Sequence, residues 1–305
     1  MHNNKKRFGL RMGFIGQGFV GKNHADDFER RGYSVVRYSL EKDFINNGHL
    51  IKACDVVFIA TPTPTTIDGF DYNTVKQAVS KVGRGKIAVI KSTVLPGTTE
   101  LIQQHYPDVI VMHAPEFLSE ATAARDAAFP NRNIIGIPIN TLKYRRAAKV
   151  LLGTLPRAFY NKICGAREAE LIKYGRNTLG YVRIVFANIL YDLAIRIGAD
   201  WRVIEEAMGA DPDNGPTYMS PVHKSGRGAG GHCFIKDFAA FRQFFGQNVK
   251  DHNFQAILTS IESKNIELLE KTGKDLELLA GVYGNRLSRD TRIKKELEKI
   301  LVRIS

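Results

Sequence analysis

The chain has 305 residues, with 44 Lys and Arg against 31 Asp and Glu, a formal net charge of +13 at pH 7, and 44% hydrophobic residues. These proportions fit a soluble globular protein with a sizeable core and exclude disordered, collagen-like and coiled-coil classes. The excess of positive charge suits a solvated basic surface or an anionic ligand such as a dinucleotide or nucleotide-sugar. No DNA- or RNA-binding motif accompanies it, so nucleic acid is not an expected partner.

At ~150 residues per domain the length predicts two domains. No apolar run approaches the ~18 residues of a membrane span, and residues 1–11 carry no signal-peptide pattern. Cys54, Cys164 and Cys233 are too scattered for a disulfide framework, which predicts a reducing, cytoplasmic setting. Residues 11–16 (RMGFIG) read as a strand, 19–31 as a helix closed by Gly32, and 33–39 (YSVVRYS) as a β-branched strand. The apolar run 55–60 (DVVFIA) has the character of a buried parallel strand. A helix over 71–82, a strand over 86–92, a helix over 98–105 and strands over 109–113 and 134–137 follow. This alternation predicts a Rossmann-like, doubly wound α/β domain with a parallel sheet over residues 1–162.

Beyond residue 162 the pattern turns helical. Residues 167–197 lack proline and carry helical spacing, for a spine of roughly 45 Å. Further helices are expected near 201–208, 234–245 and 252–270. Residues 163–272 therefore read as a helical central domain, and 273–305 as a short C-terminal segment opening with an apolar strand (LELLAGVYG). The spine helix predicts a homodimer.

Three motifs carry chemistry. Gly16-Gln17-Gly18-Phe19-Val20-Gly21 fits G-x-G-x-x-G between a strand and a helix, the context that makes the pattern a dinucleotide loop. Ser39 stands where an acidic residue usually meets the ribose 2′-hydroxyl, with Arg37 and Lys42 nearby, so NAD is the first reading and NADP remains open. In the segment 226–237 (GRGAGGHCFIKD) glycines precede Cys233, and Lys236 and Asp237 follow. Such a setting suits a nucleophilic thiol, with His232 a weaker candidate base. Lys91–Thr99 (KSTVLPGTT) and His113–Glu120 (HAPEFLSE) each follow a strand, and Glu116 and Glu120 are candidate acid–base carboxylates. Lys173 and Asn177 share a helix face at i and i+4. No metal-ligand spacing is present.

Taken in order, GFIGQGFVG, ATPTP at 60–64, KSTVLPGTT, PEFLSEATAARDAAFPNRNIIG at 115–136, AELIKYGRNTLGY at 169–181 and GRGAGGHCFIKD resemble the UDP-glucose/GDP-mannose dehydrogenase family over residues 12–245. The resemblance implies oxidation of a nucleotide-sugar C6 hydroxyl to a carboxylate with two NAD⁺ per turnover, UDP-glucose being the first substrate to consider. It implies Cys233 as nucleophile, Lys173 as oxyanion stabiliser, and Asn177 and Asp237 as orienting groups. Thr93 and Glu116 would hold a water or relay its proton. Glu120 and Lys236 would lie near the cofactor, Thr61 and Pro62 in its cleft. Glu116, Phe117, Leu118, Lys173, Asn177, Gly228, Gly230 and Gly231 would line the substrate. Members of that family usually continue into a second α/β domain, which 273–305 would barely begin. The family's Phe-Pro-Lys-Asp is Phe-Ile-Lys-Asp here. Two other readings are a single-step β-hydroxyacid-type dehydrogenase, which needs no Cys233, and a cofactor-binding relic without turnover.

Overall fold

The computed structural model describes residues 9–284. They divide into two compact units, one holding 9–63 and 71–173, the other 64–70 and 174–284.

The first unit is built on seven strands: β1 (Arg11–Ile15), β2 (Ser34–Tyr38), β3 (Val56–Ile59), β4 (Ile87–Ile90), β5 (Ile110–His113), β6 (Arg132–Ile137) and β7 (Tyr160–Gly165). Their order is β2-β1-β3-β4-β5-β6-β7. Helices α1 (Phe19–Arg30), α2 (Asn73–Val79), α3 (Thr98–His105), α4 (Ala123–Ala128) and α5 (Leu142–Thr154) connect them. Strands β1 to β5 are parallel, and their apolar runs make a core of Met12, Phe14, Phe58, Val89 and Met112, joined by Phe28 of α1. Phe14 stacks on Phe58 with ring centroids 4.9 Å apart.

The sheet is mixed rather than wholly parallel. β6 meets β5 antiparallel at His113↔Gly136, and β7 then runs parallel to β6. The reason is local. Between β5 and β6 the chain forms a 3-10 turn and the six-residue α4, with no crossover to return it to the starting edge. Because β1 lies between β2 and β3, the winding reverses there. Such a switch point opens a crevice at the carboxyl ends of the strands.

Helix α6 (Ala166–Ile197) spans 32 residues, about 48 Å, and contributes 166–173 to the first unit and 174–197 to the second. The division thus falls at 173/174, inside a helix, and not ahead of it. By length and composition α6 is apolar enough to cross a membrane, although no unbroken apolar run suggests it. The second unit adds α7 (Trp201–Ala210), α8 (Gly231–Asn248), α9 (His252–Thr272) and α10 (Leu276–Tyr283), with two short hairpins at 65–70 and 222–227. Asp200 and Asp251 cap α7 and α9 by accepting the N–H of Arg202 and Phe254.

The segment LELLAGVYG is helical, not the strand its apolarity suggests. Leu279 and Val282 lie three apart on one face and join Ile235, Ala239, Ile266 and Leu269 in a core shared with α8 and α9. Residues 273–284 therefore complete the helical unit. The remainder of the C-terminal segment, 285–305, lies outside the described residues.

Candidate active site

The glycine loop leaves β1 and enters α1 with a distinct task for each glycine. Gly16 has φ +91° and lies so close to the β3 end that an added Cβ would meet the Ala60 carbonyl oxygen at 2.3 Å. A Cβ on Gly21 would meet the Gly16 carbonyl oxygen at 1.8 Å. Gly18 differs: nothing lies within 4 Å of its Cβ position, and as N-cap of α1 it supplies no side-chain cap. The first N–H groups of α1 therefore lack a side-chain partner at Gly18, beside open backbone. That cradle fits a pyrophosphate, which helix N-termini bind through free N–H groups and the helix dipole.

Gln17 is buried and donates to the carbonyls of Phe14 and Gly16, so it shapes the loop from within. Phe19 is exposed. The Thr61–Thr63 loop is tied to the end of β4, where the Ser92 hydroxyl donates to the Thr61 carbonyl at 2.7 Å and the Thr63 hydroxyl to the Thr93 carbonyl at 2.8 Å. The Thr74 hydroxyl donates to the exposed Pro62 carbonyl. At the end of β2 the Ser39 hydroxyl accepts the Glu41 N–H.

A buried polar cluster lies at the ends of β4 and β5. Glu116 Oε2 is 2.7 Å from His24 Nε2, and Oε1 accepts the Leu118 N–H. Lys91 Nζ is 3.9 Å from Oε2. Burial would raise the Glu116 carboxyl, but His24, Lys91 and Lys173 together bring it down to about 2. Burial lowers His24 and Lys91. It also brings His113 down to about 3, with Lys91 and Lys173 acting in the same sense. Lys173, also buried, sets its ammonium 5.7 Å from the Phe117 ring, over which Arg132 stacks at 4.0 Å. Glu120 begins an exposed 3-10 turn, whereas Glu116 is buried.

Cys233 is exposed on the first turn of α8, where helix N–H groups favour an anion. One turn on, Asp237 is 1% exposed; Asn177 Nδ2 donates to its Oδ2 at 2.7 Å and Lys236 Nζ to its Oδ1 at 2.5 Å. The structure thus brings Asn177, Lys236 and Asp237 together, with Cys233 four residues before Asp237 on the same helix.

The preceding glycines serve packing more than ligand access. Added Cβ atoms would meet Thr272 Oγ1 at 2.5 Å from Gly226, Asn265 Oδ1 at 3.1 Å from Gly228, and Asp275 Oδ2 at 2.0 Å from Gly230. Gly231 alone of these has open space at Cβ, and it needs its φ of +78°. Asn265 holds both the N–H and the carbonyl of Ala229, Lys274 donates to the Gly228 carbonyl, and Asp275 accepts the Gly231 N–H. Sequence reasoning missed His24, Lys91, Asn265, Lys274 and Asp275. Lys91 opens a recognised motif, but no local signal marks the other four.

Residues 42–151 match the NAD-binding domain of the UDP-glucose/GDP-mannose dehydrogenase family, and residues 167–265 match its central domain. The two matches cover more than half the chain. The chain belongs to the UDP-glucose/GDP-mannose dehydrogenase family. It is 31% identical over 250 residues to the UDP-glucose 6-dehydrogenase YwqF of Bacillus subtilis, covering 78% of this chain and 54% of that protein. It is 28% identical to the UDP-glucose 6-dehydrogenase AglM of Haloferax volcanii, over 76% of this chain and 64% of that one. The chain thus spans less than two thirds of the length of these curated relatives. Among solved structures, a UDP-glucose dehydrogenase from Pyrobaculum islandicum superposes with a TM-score of 0.73 at 28% identity, covering 89% of this chain and 72% of that one. The cofactor of this family's first domain is NAD. The glycine loop lies ahead of the matched residues, so its fit to a dinucleotide rests on the geometry of Gly16, Gly18 and Gly21.

Proposed function

We propose that this chain catalyses the NAD-dependent, four-electron oxidation of a nucleotide-sugar C6 hydroxyl to the carboxylate, with UDP-glucose the first substrate to test. The observation that carries the reading is an exposed thiol on a helix's first turn, one turn ahead of a buried Asp237 clamped by Asn177 and Lys236. NAD, when bound, accepts a hydride. Residues Gly16 to Gly21 hold its pyrophosphate, and Thr61, Pro62, Thr93, Glu120 and Lys236 line its surroundings. Glu116, Phe117 and Leu118 line the sugar's place.

Loss of a hydride from C6 and a proton from its hydroxyl gives an aldehyde. The Cys233 thiolate adds to that carbon, forming a C–S bond and a thiohemiacetal oxygen that Lys173 stabilises. Loss of a second hydride and the hydroxyl proton gives a thioester. Water, held near Thr93, then adds, the C–S bond breaks, carboxylate and thiolate are released, and the two protons of the water pass to solvent. Asn177 and Asp237 orient the reacting groups.

A homodimer accompanies this reading. Leu179, Phe186 and Leu193 repeat every seven residues along α6, each more than half exposed, as a helix seam does. A second copy is the occupant proposed. We place the protein in the cytoplasm, since nothing in its cysteine usage needs an oxidising compartment. The decisive experiment counts NADH formed per sugar consumed with UDP-glucose, UDP-N-acetylglucosamine, UDP-N-acetylmannosamine and GDP-mannose. Two per sugar, lost in Cys233→Ser while NADH binding persists, is the expected result. One per sugar would replace the reading with a single-step dehydrogenase. NADH binding without turnover on any donor would make the chain a cofactor-binding relic.

A further inference from the structure

The strand that ends at the ribose side of a dinucleotide site normally decides between NAD and NADP by the charge it presents. Here that strand, β2, presents neither an acid nor a free cation. Ser39 ends it with a neutral hydroxyl turned to the Glu41 N–H. Two residues earlier, Arg37 lies beside the glycine loop: its NH1 is 3.5 Å from Gln17 Oε1, and the neighbouring Tyr38 carbonyl accepts the Gly16 N–H at 2.8 Å.

The guanidinium is already engaged on α1. Its Nε donates to Glu29 Oε1 at 3.0 Å and its NH2 to Glu29 Oε2 at 2.7 Å, a bidentate fork, while NH2 also reaches Asp26 Oδ1 at 2.7 Å. Arg37 is 15% exposed, against 37% for Asp26 and 48% for Glu29. Hydrogen bonds from Lys22 and Arg37 outweigh burial and hold Asp26 below the usual carboxylate range. The other cation after the strand, Lys42, stands exposed between Glu41 and Asp43.

We infer that the Asp26–Glu29 clamp on Arg37 is the device by which this chain prefers NAD to NADP. A 2′-phosphate needs a guanidinium or ammonium to replace its hydration. The clamp satisfies the Arg37 guanidinium beside the loop and sets two carboxylates around it. Ser39, being neutral, does not reject the phosphate by itself; the preference comes from a cation withheld. The inference rests on the dinucleotide site and not on the sugar chemistry, so a failure of sugar turnover leaves its test intact.

That test is fluorescence titration with NADH and NADPH in the absence of sugar. The intact chain is expected to bind NADH more tightly. Asp26→Asn with Glu29→Gln frees Arg37, and NADPH binding is expected to tighten about tenfold while NADH binding changes by less than about threefold. Adding Arg37→Ala to the pair is expected to abolish the gain. Equal binding of the two dinucleotides by the intact chain, or no NADPH gain in the double variant with NADH binding preserved, would overturn the inference. So would a gain that survives Arg37→Ala, since the carboxylates would then act by repelling the phosphate. If the double variant loses NADH binding through misfolding, Glu29→Gln alone decides. Glu29 is half exposed, and its removal leaves Asp26 as the only carboxylate on the fork; a gain in NADPH affinity supports the clamp, and none refutes it.

Discussion

Replacing Glu116 by Gln removes one negative charge from a fully buried cluster and little else. The amide keeps the shape and can still accept one of the two hydrogen bonds now made to His24 and the Leu118 N–H. What is lost is the carboxylate 3.9 Å from Lys91, itself 7% exposed. The Glu116 carboxyl ionises at about 2 rather than its ordinary 4.5, so its charge stabilises the fold by about 3 kcal/mol at neutral pH. A similar 3–5 kcal/mol is typical when one partner of a buried pair is removed. The sign follows from the depressed value: the stabilisation is present above 4.5 and is lost as pH falls toward 2. Glu116→Gln should therefore be about 3 kcal/mol less stable at pH 7 and only about 1 kcal/mol less stable at pH 3. The single tryptophan, Trp201, belongs to the second unit and does not report on this cluster. Urea-dependent hydrogen exchange of the β4 and β5 amides does. A difference under about 1 kcal/mol at pH 7, or one unchanged at pH 3, would refute Glu116 as the cluster's counter-ion. Adding Lys91→Met should recover part of the loss, because the orphaned ammonium leaves with it.

Three further outcomes are expected. Lys173→Ala should lower kcat by roughly 10²–10³ with little change in NADH affinity, the usual consequence of losing one oxyanion donor; steady-state kinetics beside a binding titration checks it. Asn265→Ala strands the buried N–H and carbonyl of Ala229, for a loss of about 1–3 kcal/mol per group, measurable as a fall in urea midpoint followed by Trp201 fluorescence. Light scattering should give twice 34.1 kDa for the intact chain and 34.1 kDa for Phe186→Asp, which places a charge in the α6 seam.

The elements legible in the sequence were those whose signals are local. Continuous apolar runs located β1, β3 and β4, and helical spacing without proline located α6. The turn at β6 was not legible, because its antiparallel return depends on the short span between His113 and Arg132 staying at one sheet edge. The C-terminal helix α10 was misread for a related reason: in LELLAGVYG the apolar run obscures the three-residue spacing of Leu279 and Val282 until α8 and α9 provide a surface for it. At the site, motif residues such as Gly16, Cys233 and Asp237 could be named in advance. His24 and Asn265 could not, since their partners lie 92 and 36 residues away in the chain.

The same long-range partners bear on the work of the two carboxylates. The resemblance casts Glu116 as a group that holds a water or relays its proton, and Asp237 as one that orients. In the fold each has both oxygens engaged by protein donors: His24 and the Leu118 N–H for Glu116, Asn177 and Lys236 for Asp237. A carboxylate that ionises near 2 is a weak base at neutral pH, and a proton shuttle works best when its own pKa lies near the working pH. For Glu116 the chemistry therefore favours a fixed negative charge beside Lys91 over a relay. A fixed charge predicts that Glu116→Gln leaves the shape of the pH profile unchanged, whereas a relay predicts a limb nearer neutrality that Glu116→Gln would abolish.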